Sequence, residues 1–459
     1  MKNKLMRISA MVLALVMSAA CIAGCSTATN STTSSTAAAT GAPIAESTSA
    51  ATSAAQEPVT LTFWSWLPTT VDWDDMVTAF ETENPNIKVD YTRTEQDDYF
   101  EKLQVAMASG TGPDLFCLTT GPMVDQYATF CDPMGALADS NMPDWKDVIS
   151  TAAVDQCTTT DGTLAGMPLL VAGMEYMLYN DTLMKECGVD KVPTTYAELL
   201  DASAKIEAAG YVTMAMGAAD DWHTVDWFVM ASNQFEKGAV YEAEAGNKSW
   251  TDACFVDTMN AWAKLFNDGV FEDGALGVVT YPDARDQYFF DRKAVFFPTG
   301  SWHLGPTSTS NAEIEGTAIK EAGDVIGMTM FPQVGPGEFA ATTGVDVLMS
   351  VNKDCAEKEA AMKFVQFMSE GTGQQMWVNK LQGSPVSNKI TYQGNVDGEL
   401  QQQSIDAINS WNANAVGARK LHFSELEKAI VVAMQNVAAG ADAATELKTV
   451  QEVSNAIER

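Results

Sequence analysis

The sequence predicts an α/β fold of the doubly wound kind, and three observations predict it. Val59, Leu61 and Phe63 alternate with Thr60 and Thr62, the two-residue period of a half-buried strand. Trp73, Met76, Val77 and Phe80 then recur at helical spacing, on one face. The pair of signals repeats with short breaks between, and strand–helix–strand–helix–strand is how a sheet with helices on its faces is written.

Taken in order, the first strand runs out at Trp64-Ser65-Trp66, and the first helix stops at Asn84-Pro85-Asn86. Ile87, Val89 and Tyr91 form the second strand. A second helix, about Asp97 to Ser109, ends on Gly110-Thr111-Gly112-Pro113, where two glycines and a proline cannot continue it. Asp114-Leu115-Phe116-Cys117-Leu118 is a short apolar run suited to a buried parallel strand. Further on, Lys185-Glu186-Cys187-Gly188 reads as a helix closing on glycine, and Pro193-Thr194-Thr195 as the start of the next with a threonine cap. Ala356, Ala360, Ala361, Phe364, Val365, Phe367 and Met368 share another helical face, which Gly371 ends.

Ahead of the folded body lies a different kind of sequence. Lys2, Lys4 and Arg7 precede an uncharged apolar run from Ile8 through Ala20, the pattern of a secretory leader. A helix rises 1.5 Å per residue and needs about 20 apolar residues to cross a bilayer, so this run is short for a span. Ile22-Ala23-Gly24-Cys25 follows and resembles the lipobox of bacterial lipoproteins, which implies cleavage after residue 24 and a diacylglycerol on Cys25. The plainer alternative is an ordinary leader with an incidental cysteine. Cys21 is the weaker choice, because Ser18-Ala19-Ala20 lacks the branched residue three places before the cut. From Ser26 to about Glu57 nearly every residue is Ser, Thr, Ala or Gly, too little apolar surface to offset ordering. That stretch is expected to be a flexible tether with a reach on the order of 30 Å.

Composition removes several possibilities. With 60 acidic against 27 basic residues the net charge is −33, a field that repels phosphate backbones, so no nucleic-acid partner is expected. Hydrophobic residues make up 46% of the chain, enough for two cores of ordinary size. Cys117, Cys131, Cys157, Cys187, Cys254 and Cys355 are scattered, without C-x-x-C or a neighbouring histidine pair. Buried small hydrophobes are expected rather than a metal site, and a disulfide stays open. The three histidines, His223, His303 and His422, form no H-E-x-x-H, and G-x-S-x-G is absent. No enzyme, cofactor or metal is expected.

Several motifs, in their order, resemble the type 1 extracellular solute-binding proteins, the maltose-binding-protein-like receptors of ATP-binding-cassette sugar importers. They are Phe63-Trp64-Ser65-Trp66, Phe80-Glu81 to Pro85-Asn86-Ile87-Lys88-Val89, and Ser109-Gly110-Thr111-Gly112-Pro113-Asp114-Leu115. Gly162 to Pro168, Leu178-Tyr179-Asn180-Asp181, Pro193 to Leu199, Lys293 to Phe297 with Thr299-Gly300-Ser301-Trp302, and Gly383-Ser384-Pro385-Val386 continue the series. Tyr196 stands where the family usually has tryptophan, and beyond Gln401 the likeness is only helical character. The resemblance implies a two-lobed periplasmic-binding-protein-like fold with crossover hinge strands and a central ligand cleft. Residues 1–24 would be the leader and 25–57 the lipidated cysteine and tether. Residues 58–167 with 350–390 would form one lobe, and 168–345 with 391–459 the other. It further implies a monomeric receptor, lipid-anchored on the outer face of the cell membrane. Such a receptor closes on a mono- or oligosaccharide and passes it to the permease of an importer. A polyamine, peptide or other small solute is the alternative cargo, and a secreted carbohydrate-active enzyme a more distant one.

Candidate ligand-binding residues follow from what a pyranose offers, a nonpolar face of C–H groups and a rim of hydroxyls. Indole covers the face and carboxylates bond the rim. Trp302, after the apolar strand Phe296-Phe297 and a small-residue turn, is the platform position by resemblance. Asp221 and Trp222 lie in a polar break before Trp227-Phe228-Val229-Met230, with Trp227 the lesser candidate. Trp64 and Trp66 end the first strand, one expected to face the cleft and the other the core, and open α/β sheets bind ligands at such ends. Thr119 and Thr120 end the strand after Asp114, which itself reads as structural. Asp346 is a carboxylate in an apolar strand, so a ligand or a buried partner must meet it; the ligand is the reading preferred here.

Overall fold

Two sheets carry the fold in the computed structural model, which describes residues 58–339 and 341–459. The expected leader 1–24, Cys25 and the tether up to residue 57 lie outside the described residues. The strands in chain order are β1 (Val59–Ser65), β2 (Ile87–Arg93), β3 (Leu115–Leu118), β4 (Met167–Met174) and β5 (Tyr176–Asn180). They continue as β6 (Val212–Met214), β7 (Ala294–Thr299), β8 (Ile326–Met330), β9 (Thr342–Val351), β10 (Ser384–Pro385) and β11 (Gly417–Ala418). The larger sheet runs β10-β4-β9-β3-β1-β2, with β11 on the start of β9, and the smaller runs β6-β7-β5-β8. Among the described residues no helix is long and apolar enough to cross a membrane.

The opening of the chain folds as its periodicity predicts. β1 pairs in parallel with β2 and β3, and helices Thr70–Glu83 and Gln96–Ala108 fill the gaps between them. Phe63 shows what glues this half together. Its ring lies 4.9 Å from Tyr91, 5.9 Å from Trp73 and 5.4 Å from Phe364, which arrives on the late helix Lys358–Ser369. Burying a side chain of that size contributes roughly 1.5–3 kcal/mol. Asp114 holds the β1–β3 pair in register, its Oδ2 accepting from the Thr62 amide (2.9 Å) and hydroxyl (2.7 Å). The second half has its own core, where Trp227 and Trp262 meet at 4.8 Å with Phe331 on the edge of Trp227. Trp227 is therefore a packing residue and not a ligand platform.

The chain changes sheets where the site will be. β4 belongs to the larger sheet and β5 to the smaller, with Glu175 alone between them. The return comes between β8 and β9. The division expected at 167/168 falls inside β4, and the end of the second lobe's first segment at 345 falls inside β9. Both crossover strands pair along their length within the larger sheet. The third crossing runs from β10 through helix Glu399–Ala413, which packs on β8 of the smaller sheet, and through β11, which pairs with β9, to helices Ser424–Ala438 and Ala443–Ala456 on the smaller sheet's side. All six described cysteines are buried free thiols, and burial lifts Cys117 to about 12, which leaves it inert.

Gly121, just past β3, lets the third crossing come close. Its φ of 79° and ψ of −136° lie in a region open essentially to glycine, and an added Cβ would sit 2.7 Å from the Leu421 carbonyl oxygen. Gly121→Ala should lower stability by about 1–3 kcal/mol, the cost of such a backbone for a residue with a Cβ. Urea unfolding of the variant against wild type measures it.

Candidate functional site

Trp302 is presented by a turn that the sequence builds for the purpose. β7 ends at Thr299, and a single 3-10 turn, Ser301–His303, follows Gly300. A Cβ on Gly300 would stand 2.0 Å from the Trp302 ring, so only glycine lets the indole fold back over its own backbone. Ser301 Oγ accepts from the Gly173 amide at 3.0 Å, which ties the turn to crossover strand β4. Trp302 Nε1 donates to the Tyr281 hydroxyl at 2.9 Å. That hydroxyl lies 3.2 Å from His303 Nδ1, which is itself 2.8 Å from Thr299 Oγ1. Burial, and then the Arg285 charge, hold His303 well below the usual imidazole value, so it is neutral here.

Trp222 completes an aromatic corner. Its ring is 6.0 Å from Trp302 at 59°, and 6.0 Å from Tyr281 nearly parallel to it. Both tryptophans are half-buried. Two indole planes set at an angle form a corner that can meet a flat, partly nonpolar molecule on two sides.

Behind the corner a charged group joins the two sheets. Arg419, immediately after β11, places its guanidinium 4.9 Å from the Trp302 ring centroid. Its Nη1 reaches Asp346 Oδ1 on β9 at 2.8 Å, and its Nη2 reaches Asp226 Oδ2 on helix Asp221–Phe235 at 3.1 Å. Lys420 Nζ lies 3.6 Å from the other oxygen of Asp226. The arginine is 6% exposed. A charge so far from water is tolerable only with paired countercharges, and here it has two.

The arrangement brings together aromatic surface and paired charges, and among the described residues there is no group of three metal-ligating side chains. The sequence matches the family model for bacterial extracellular solute-binding proteins over residues 68–375. The chain belongs to that family. A Brucella abortus (strain 2308) protein, named as a binding protein, is 24% identical over 64% of this chain and 68% of its own length. Among solved structures, a maltose-bound T. maritima protein aligns with 87% of this chain and all of its own at 18% identity, with a TM-score of 0.71. A structure from work on xylan utilization by Caldanaerobius polysaccharolyticus covers 86% of this chain and 99% of its own (21% identity, TM-score 0.72). A substrate-binding protein of Listeria monocytogenes in complex with cycloalternan covers 87% and 99% (19% identity, TM-score 0.71). At such identities the likeness establishes the two-lobed fold.

Within this solute-binding protein the expected site residues part company. Trp302 and Trp222 come together, and Asp346 lies behind them. Of the two partners open to Asp346, a ligand or a buried group, the fold supplies the second, Arg419, which a strand pattern could not reveal. Asp221 and Trp222 sit in the first turn of helix Asp221–Phe235 rather than in a loop, and Asp221 is exposed. Trp66 is taken up by the first core, its ring 5.3 Å from Tyr99 and 5.5 Å from Phe100. Trp64 is half-buried against the same core. Thr120 spends its hydroxyl on the Val345 carbonyl at 3.0 Å, while Thr119 is half-buried at the end of β3. Tyr196, the departure from the family pattern, opens helix Tyr196–Ala208 and bonds Asp268 at 2.7 Å, away from the corner. Tyr281, Asp226, Glu175 and Arg419 were missed. Only Arg419-Lys420 left a trace in the sequence, as adjacent basic residues in a chain poor in them.

Glu175, at the sheet crossing, is fully buried with His223 Nε2 3.4 Å from its Oε1. Burial, and then the Asp226 charge, push the Glu175 carboxyl well above its usual value. Burial lowers His223 to about 4. The folded pair thus keeps one proton, on the glutamate. In the unfolded chain the pair also holds one proton between pH 4.5 and 6.5, on the histidine, so stability there is insensitive to this pair. Above pH 6.5 the unfolded pair loses its proton while the folded one retains it, and stability falls as pH rises, at up to ~1.4 kcal/mol per pH unit. Denaturant midpoints from pH 5 to 9 should show this decline in wild type and a shallower one in Glu175→Gln.

Proposed function

We propose that this chain is a lipid-anchored receptor that captures a mono- or oligosaccharide outside the cell and delivers it to the permease of an ATP-binding-cassette importer. The observation that carries the reading is the corner formed by Trp302 and Trp222 beside the strands that pass between the two sheets. Family membership supports the binding role. An indole offers a stiff apolar face for the C–H side of a pyranose. Tyr281 holds Trp302 by its Nε1, so little ordering is left to be done when the ligand arrives. Crossings at Glu175, between β8 and β9, and through β11 supply the short segments about which lobes close. The chain makes and breaks no bond in this reading. It acts as a monomer, held at the outer membrane face by lipid on Cys25.

Purified protein, lacking residues 1–25, should gain thermal stability with at least one member of a broad saccharide panel. A ligand at a hundredfold excess over its Kd contributes ~2.7 kcal/mol, a shift easily read in a melting scan. Trp302→Ala should then weaken that ligand by roughly 2 kcal/mol, about thirtyfold, while the ligand-free melting temperature changes far less. Absence of any shift across the panel would sink the sugar reading. In cells, Cys25→Ser should move the protein from the membrane fraction to the medium or periplasm.

A further inference from the structure

We infer that Arg419 makes this cleft selective for uncharged sugars, excluding amino sugars and uronic acids alike. The inference rests on the sugar reading above and deepens it.

This chain already places a guanidinium on the Trp302 ring, 4.9 Å from its centroid. An indole face attracts cations, and a cleft in a protein of net charge −33 would be expected to collect them. Here the protein supplies that cation itself. An ammonium on a sugar held at the corner of Trp302 and Trp222 would lie near Arg419, with Lys420 also close by at Asp226. Like charges at that range, away from bulk water, repel strongly. The nearby carboxylates offer little in return. Asp226 and Asp346 are engaged by Arg419, and Asp220 accepts from the Thr280 amide. Glu313 lies beside His303 and burial raises its pKa, Glu175 is held in its neutral form beside His223, and Asp221 is exposed, where solvent screens it.

A carboxylate on the ligand fares no better, for the opposite reason. To pair with the Nη groups of Arg419 it must draw the guanidinium from Asp346 or Asp226, and the Nε, which has no hydrogen-bond partner, is itself buried. Asp226 is fully buried, and a buried carboxylate stripped of its partner is costly to leave behind. To remain unpaired it must sit near both carboxylates and be repelled. A neutral sugar incurs neither penalty, since its hydroxyls accept and donate without disturbing the triad. Arg419 is thus a positioning residue for Trp302 and a filter on ligand charge, acting through Asp226 and Asp346.

Calorimetric titration decides it. The neutral probes are glucose, galactose, xylobiose and maltose; the charged ones are glucosamine, glucuronate and galacturonate. The best neutral probe should bind at least about tenfold more tightly than its amino and uronate counterparts at pH 7. In the double variant Arg419→Gln/Asp346→Asn, the discrimination against glucosamine should shrink severalfold, with Lys420 still opposite Asp226. Tryptophan emission of the ligand-free variant should also shift, because the cation has left the indole. If a charged sugar binds as tightly as the neutral ones, or if the folded double variant discriminates as wild type does, the inference is overturned and the sugar reading stands. If no probe and no member of the wider saccharide panel binds, both fall together. Should the variant not fold, the wild-type comparison alone decides.

Discussion

A guanidinium removed from water must be neutralised where it sits, and the junction of this molecule is arranged around that requirement. Arg419 belongs to the last crossing of the chain, Asp346 to a strand of the larger sheet, and Asp226 to a helix on the smaller sheet's side. One side chain thereby links three segments far apart in sequence. The approach of the crossing to β3 needs the bare backbone of Gly121, and the indole beside the charge needs Gly300. Gly121 meets the third crossing directly, whereas Gly300 answers to the indole alone. Replacing the triad with apolar groups could well give an equally stable junction, since buried ion pairs add little net stability. What the triad gives instead is one defined arrangement of Trp302 relative to both sheets.

In the proposed reading the aromatic corner and the charged junction divide the work of recognition, with Trp302 and Trp222 supplying area and shape. The hydroxyl of Tyr281 and the neutral imidazole of His303 stand behind Trp302, with Arg285 in turn against both of them. The Glu175–His223 pair is the same idea at the first crossing: two titratable groups are buried, and both are kept neutral by burial itself. The chain carries a net charge of −33, and where the sheets meet Arg419 and Lys420 face Asp226 and Asp346.

Periodicity made much of the first lobe legible. Alternation at Val59–Phe63, helical spacing from Trp73 to Phe80, and the apolar run at Leu115–Leu118 describe local contacts with one face of a sheet, and each became the expected element. The face of Lys358–Ser369 was equally plain, although its landing place on Phe63 was not. Site residues were harder. Trp302 was singled out by resemblance, at a strand followed by a glycine turn, and the fold brings it beside Trp222. Trp66 has the same local signature, a tryptophan ending a strand, yet Tyr99 and Phe100 claim it for the core. Asp346 could be recognised as a carboxylate that needed a partner, but not which partner it had.

The sequence by itself determined the alternating strands and helices, the acidic surface, the exclusion of familiar catalytic and metal motifs, and the turn that exposes Trp302. These are properties of neighbouring residues, and their period or order is visible without a fold. Tertiary structure alone decided that Arg419 would sit between Asp226 and Asp346, that Tyr281 would hold the platform, and that Glu175 would lie against His223. Each of these pairs is brought together by crossings between two sheets. Partners separated by dozens or hundreds of residues leave no spacing to read, because what selects them is the cost of burying a charge or a donor alone.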